Sequence, residues 1–131
     1  MKKIILLLMV LFSITICNAQ RYEGIAKTLS VRVLQDYGWS DWTRPEKIQV
    51  KLVVNVSKSK VIIYSKTPQV YNILYAESHY YDSTDGIRSE CWEYKVLDQD
   101  DDVGTLTVRC GRNWMQVYIR FADIQWVYYL E

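Results

Sequence analysis

Histidine is almost missing from this chain: His79 is the only one in 131 residues. That excludes zinc sites built on several imidazoles, and two distant cysteines beside one histidine make a poor ligand set. Glycine is sparse as well, with five scattered residues that never approach the spacing of a phosphate-cradling loop. An excess of either charge is lacking, since 16 basic residues face 15 acidic ones for a formal net charge of +1. Such a balance supplies neither the basic face that nucleic acid needs nor a polybasic membrane patch. Beyond residue 19 no apolar run approaches the roughly 20 residues that a membrane-spanning helix requires.

What is present begins with an address. Met1-Lys2-Lys3 precedes an apolar run from Ile4 to Phe12, and a more polar stretch ends Cys17-Asn18-Ala19 before Gln20. A positive start, a short apolar run and a small residue at the cut predict a signal peptide over residues 1–19. Lipid attachment at Cys17 fits less well, because Ile16 is not the small residue such a site wants before its cysteine. The short basic opening looks bacterial, so the expected destination is the periplasm, the cell surface or the medium. Losing Lys2 and Lys3 with the leader takes the formal charge from +1 to −1. Residues 20–131 suit one domain, without repeat or low-complexity linker. They keep Cys91 and Cys110, and an oxidising destination predicts a disulfide between these two. Alternation opposes a simple bridge: Cys91 falls with Glu93 and Lys95, and Cys110 with Leu106 and Val108, so pairing needs a bulge.

Period-two patterning dominates the rest. Ile48, Val50, Leu52, Val54 and Val56 alternate with Lys47, Gln49, Lys51 and Asn55, which predicts a half-buried strand. Leu29 to Val33, Trp92 to Val96 and Leu106 to Val108 repeat the pattern. Toward the C-terminus, Met115, Val117, Ile119 and Phe121 form one apolar set and Ile124, Trp126, Tyr128 and Leu130 another. A two-residue turn at Ala122-Asp123 pairs Phe121 with Ile124 and Ile119 with Trp126, which puts both sets on one side. Lys60 to Ser65, Gln69 to Tyr75 and His79 to Asp82 read as three further strands. Turn residues at 57–59, 83–86, 99–104 and 111–113 separate these runs. About eight strands with short turns predict an all-β antiparallel meander, closed as a small barrel or folded as a two-layer sandwich. In outline it resembles lipocalin-type and other small exported β domains. The Gly-x-Trp signature of true lipocalins is absent from the first strand, so the likeness is of architecture and carries over no ligand or residue.

Five tryptophans and eleven tyrosines, all beyond the leader, are the most unusual feature. Trp92, Tyr94, Trp126 and Tyr128 belong to the core by pattern, where they either plug a barrel or line it. The longest apparent loop, Gln35 to Glu46, carries Tyr37, Trp39, Trp42 and Arg44, which makes it the candidate ligand-binding site. The bland alternative is that both tryptophans cap the core. Asp98, Asp100 and Asp102 match the opening of a calcium loop, but its sixth position is Val103 rather than Gly and its twelfth is Arg109 rather than Glu. A solvated hairpin tip is the better reading, and no metal or other cofactor is expected. His79 sits in Ser-His-Tyr-Tyr-Asp without triad spacing, and Glu90 and Glu93, three apart on a strand, point to opposite faces. The expected function is therefore a non-catalytic exported binding module for a small molecule, a glycan or a protein. A cell-envelope structural or assembly role comes second, and an enzyme with an unrecognised site third.

Overall fold

Alternating apolar and polar residues produce strands wherever the sequence shows them, and the described residues form no helix. The structure, a computed structural model, describes residues 17–18, 21–83 and 86–130; apart from the backbone of Cys17 and Asn18, the expected leader lies outside them. Ten strands run in order: β1 (Cys17–Asn18), β2 (Arg21–Gln35), β3 (Gly38–Trp39), β4 (Glu46–Asn55), β5 (Lys60–Ile63), β6 (Gln69–Asp82), β7 (Ser89–Leu97), β8 (Val103–Cys110), β9 (Met115–Arg120) and β10 (Ile124–Leu130). From β4 onward each strand pairs antiparallel with the next, and β2 pairs with both β10 and β4. This double pairing closes an eight-stranded barrel, with β1 and β3 as short additions along β2. A sandwich would have left β2 with one neighbour.

Closure depends on local irregularity, since bulges raise twist and let one strand serve two partners. A bulge between Ala26 and Thr28 divides β2, whose first part lies along β4 while the later part lies along β10. Two more, at Ile73/Tyr75 and Ala76/Ser78, keep Gln69–Asp82 as one strand, which runs along β7 from Asn72 to Asp82. The separate short strand expected at His79 to Asp82 is therefore corrected: the bulges break the alternation, not the strand. The β9–β10 turn follows the expected register, with the Phe121 amide donating to the Ile124 carbonyl at 2.9 Å and Ile119 opposite Trp126.

The barrel interior is filled. Leu52, Val54, Val61, Ile63, Val96, Leu106, Val108, Val117 and Ile119 have no exposed surface, and Tyr94 and Tyr128 keep 3% each. Trp92 and Trp126, partly buried, pack against this cluster. Eight strands enclose a space that side chains just fill, so Tyr94 and Tyr128 plug the barrel, while Trp126 lines a cleft of about 410 Å³ with Tyr71 and Phe121 beside the β7–β8 and β9–β10 turns. The expected Cys91–Cys110 disulfide is also corrected. The β7–β8 ladder runs without a bulge, Cys91 opposes Arg109, and Cys110 opposes Glu90. Directly opposed residues share a face, so Cys110 points into the core with Val108, while Cys91 points outward as a buried free thiol.

Candidate functional site

Apart from the cleft beside Tyr71 and Trp126, the outer face of β7 to β10 carries two clefts. Register places its side chains in three rungs. Cys91, Arg109, Gln116 and Tyr129 stand in the first, Glu93, Thr107, Tyr118 and Val127 in the second, and Lys95, Thr105, Arg120 and Gln125 in the third. The third rung continues to Arg32 on β2. Each comes from the polar half of an alternating strand, so the pattern that fills the core also lays out this surface.

Two adjoining clefts follow. One, about 260 Å³, is walled by Tyr80, Glu93, Thr107, Arg109 and Tyr118. The other, about 350 Å³, has an apolar wall of Leu34, Trp39 and Phe121 beside Lys95. Thr105 and Arg120 line both, so the two make one groove along the outer face. Thr105 is 8% exposed although it faces outward, because Lys95 lies over it and donates to its hydroxyl at 2.9 Å.

Most polar groups in the groove are fixed by neighbours. Arg109 donates to Ser89 Oγ at 2.8 Å and to Gln116 at 3.4 Å, and stands 3.8 Å from Asp82. Glu93 accepts from Ser78 at 3.2 Å and from Tyr80 at 3.0 Å. Burial pushes the Tyr80 phenol well above its ordinary range, and the Glu93 carboxylate beside it adds to the shift. Burial also raises the Cys91 thiol, against the opposing pull of the Ser89 hydroxyl and the Arg109 guanidinium.

The predicted loop reaches this groove from the side. Beyond Leu29 the ladder with β4 ends, and the outer edge of β2 would be bare. Ser40 and Thr43 cover it: their amides donate to Val33 and Val31 carbonyls at 2.8 and 2.9 Å, and their hydroxyls accept from the same two residues' amides. Gly38 makes the preceding turn with φ of 123°, a conformation that side chains resist. The loop is thus laid along the sheet. Arg32 is held between its tryptophans, 5.1 Å from the Trp39 ring and 4.7 Å from the Trp42 ring, and donates to Gln125 at 2.8 Å. Trp42 meets Tyr118 edge-on at 6.1 Å. Of the four predicted residues, Trp39 lines the groove and Trp42 braces it. Tyr37 projects from the turn with 96% exposure, and neither it nor Arg44 lines either cleft. Sequence reasoning weighed Glu93 only as half of a carboxylate pair with Glu90, and it missed Thr105, Thr107, Arg109, Tyr118 and Arg120 as groove residues. Their signal was present in the outward half of each strand, but only the register aligns those halves.

A second polar cluster stands on the β6–β7 ladder, where His79 opposes Trp92 and Tyr81 opposes Glu90. His79 Nε2 and Glu90 Oε2 are 2.7 Å apart, the Tyr81 hydroxyl donates to the same oxygen at 3.0 Å, and the His79 ring stacks on Trp92 at 4.9 Å. Ser78 and Cys91 face the other way, opposite Glu93 and Arg109, so this dyad is joined by neither nucleophile. Glu90 and Glu93 lie on opposite faces as strand alternation requires. At the β7–β8 hairpin, Asp98 Oδ1 accepts from the amides of Asp100 and Asp102 at 2.9 and 2.8 Å, which makes it a turn-forming side chain. Among the described residues no group of three or more His, Cys, Asp or Glu gathers to hold a metal ion. The chain shows no significant match to a family model, a curated protein or a solved structure.

Proposed function

We propose that the protein is an exported, non-catalytic binding module that holds a glycan along the outer face of its barrel. One observation carries this reading: buried side chains fill the middle of the barrel, whereas two clefts on the outer face join at Thr105 and Arg120. An extended groove suits a chain-like ligand better than a compact one. Its lining alternates hydroxyl, carboxylate and guanidinium groups with the rings of Trp39, Tyr80 and Tyr118. Fixed donors and acceptors match sugar hydroxyls, and aromatic faces accept the apolar C–H side of a sugar ring. The side chains are already tied to one another, which lowers the cost of ordering them around a ligand. The leader expected over residues 1–19 supplies export.

Intrinsic tryptophan emission of the exported chain, titrated with a panel of oligosaccharides, tests the reading. A saturable shift that Tyr118→Ala removes supports it. A panel without any shift, or a shift that Tyr118→Ala leaves intact, rejects the groove.

A second reading rests on a different feature. β5 pairs only with Gln69–Asn72 of β6, and among the described residues no strand covers that edge from Leu74 to Asp82, where Leu74, Tyr75 and Tyr81 are exposed. A bare edge is a template for an added strand, so this edge would serve an assembly role. Cross-linking to an envelope partner that Tyr75→Lys abolishes, with no response to glycans, would favour it.

A further inference from the structure

The charges of the groove are paired with one exception. Arg109 has Ser89, Gln116 and Asp82; Glu93 has Ser78 and Tyr80; Lys95 has Thr105 and lies 3.8 Å from Glu77; Arg32 has Gln125 and two tryptophan rings. The Arg120 side chain makes no hydrogen bond or ion pair with any described residue, yet it stands where the clefts meet. A cation without a structural partner at the centre of a groove is available to a ligand. Its neighbours reinforce the sign of the site. Lys95 and Arg32 share its rung, each two strands away with a neutral residue, Thr105 or Gln125, between. Neighbouring strands are about 4.8 Å apart, so an oxyanion over Thr105 lies within reach of both Lys95 and Arg120.

We propose that Arg120, with Lys95 beside it and Trp39 as the adjoining wall, forms an oxyanion subsite that makes the groove select an acidic saccharide over a neutral one. This rests on the groove reading above and specifies its ligand. The guanidinium offers a planar fork of N–H groups that matches a carboxylate in two parallel hydrogen bonds. Trp39 supplies a flat apolar face in the same cleft, so the occupant joins an anionic group to a ring. A carboxylate on a uronic acid and a sulfate ester on a sugar both meet that description. The exposed Arg120 side chain holds no described residue by hydrogen bond or ion pair, so replacing it should leave the barrel intact.

The exported chain, titrated by calorimetry and tryptophan emission, is tested with three probes: a galacturonic acid hexamer, a sulfated oligosaccharide of similar length and neutral maltohexaose. At least one acidic probe is expected to bind about tenfold or more tightly than the neutral one, a preference worth about one charge-assisted hydrogen bond. Arg120→Gln is expected to remove most of that preference, read as the ratio of acidic to neutral affinity in the variant against the same ratio in the parent. Arg120→Lys should restore only part, because charge remains without the fork. Preference for the uronate identifies a carboxylate ligand, and preference for the sulfated probe a sulfate ester. If maltohexaose binds and neither acidic probe binds more tightly, or if Arg120→Gln leaves the preference in place, the subsite is overturned and the groove reading stands. If none of the three binds, both are overturned.

Discussion

The guanidinium of Arg32 lies 4.7 Å from the centre of the Trp42 ring. Arg32 belongs to the barrel and Trp42 to the segment after β3, so this contact fixes that segment against the sheet. The same side chain donates to Gln125, which ties it to the third rung. Arg32→Ala removes both, and at about 0.5–1 kcal/mol for an exposed cation–π pair and about 1 kcal/mol for the hydrogen bond the cost should be about 1–2 kcal/mol. Chemical denaturation measures the loss, and a red shift in tryptophan emission reports the freed rings. Unchanged stability and unchanged emission would show that the segment is held by its backbone bonds alone.

Gly104 supports the groove in another way. A β carbon there would come within 2.8 Å of the Arg120 carbonyl oxygen and of the Phe121 ring, so Phe121 crosses the strand where no side chain intervenes. Gly104→Ala should therefore cost about 1–3 kcal/mol by overpacking. Removing the ring with Phe121→Ala does not make room for it, because the carbonyl belongs to the backbone. In the Phe121→Ala background the glycine substitution is expected to remain costly, as comparison of denaturation midpoints will show.

Much of this architecture is readable in sequence because period-two alternation and the Ala122-Asp123 turn depend on local rules. Ile119 opposite Trp126 follows from counting residues. The failures have physical causes of the same kind. Bulges near Tyr75 and Ser78 displace the alternation, so β6 reads as two pieces. Residues 40–43 read as free loop because Ser40 and Thr43 pair with β2 through hydroxyls, which leave no alternating apolar signature. The alternation that set Cys91 and Cys110 on different faces was sound; the β7–β8 ladder lacks the bulge that a bridge needed. Of the site, Trp39 was visible as an aromatic in a long segment. Thr105 and Arg120 were not, since each is an ordinary outward residue until closure sets their strands side by side.

The tyrosines predict how stability depends on pH. Burial raises the phenols of Tyr22, Tyr71, Tyr80, Tyr94 and Tyr128 above their ordinary value, which is about 10. The folded protein keeps these protons where the unfolded chain releases them, so stability is fully present below about pH 10 and falls as pH rises above it. Tyrosinate absorbance from the buried residues should appear together with the loss of β-sheet circular dichroism. A titration in which all the tyrosines ionise while the sheet signal is intact would contradict this.

Cys91 lies at the floor of the groove with 2% exposure and a thiol raised by burial. Reactivity follows the thiolate and its access. In the native protein Cys91 should be modified about tenfold or more slowly than in denaturant, as mapping of the labelled peptide over time will measure. Rapid native labelling would mean that Tyr80 and Arg109 swing away from it.

Ile119 separates the closed interior from the open groove. It is wholly buried among Leu106, Val117 and the other core residues. Ile119→Ala should cost about 2–5 kcal/mol, the loss of transfer energy plus the cavity left behind. Such a cavity is apolar and stays dry, so it would admit a small apolar molecule that the parent excludes. Ligands of the outer groove, by contrast, should bind the variant and the parent alike, because Ile119 faces away from Thr105 and Arg120. Calorimetry with benzene and with the groove ligand on both proteins makes the comparison. If the parent already takes up benzene, the barrel is not filled and the interior returns as a binding site; if the variant loses the groove ligand while still folded, the two faces are coupled through the sheet.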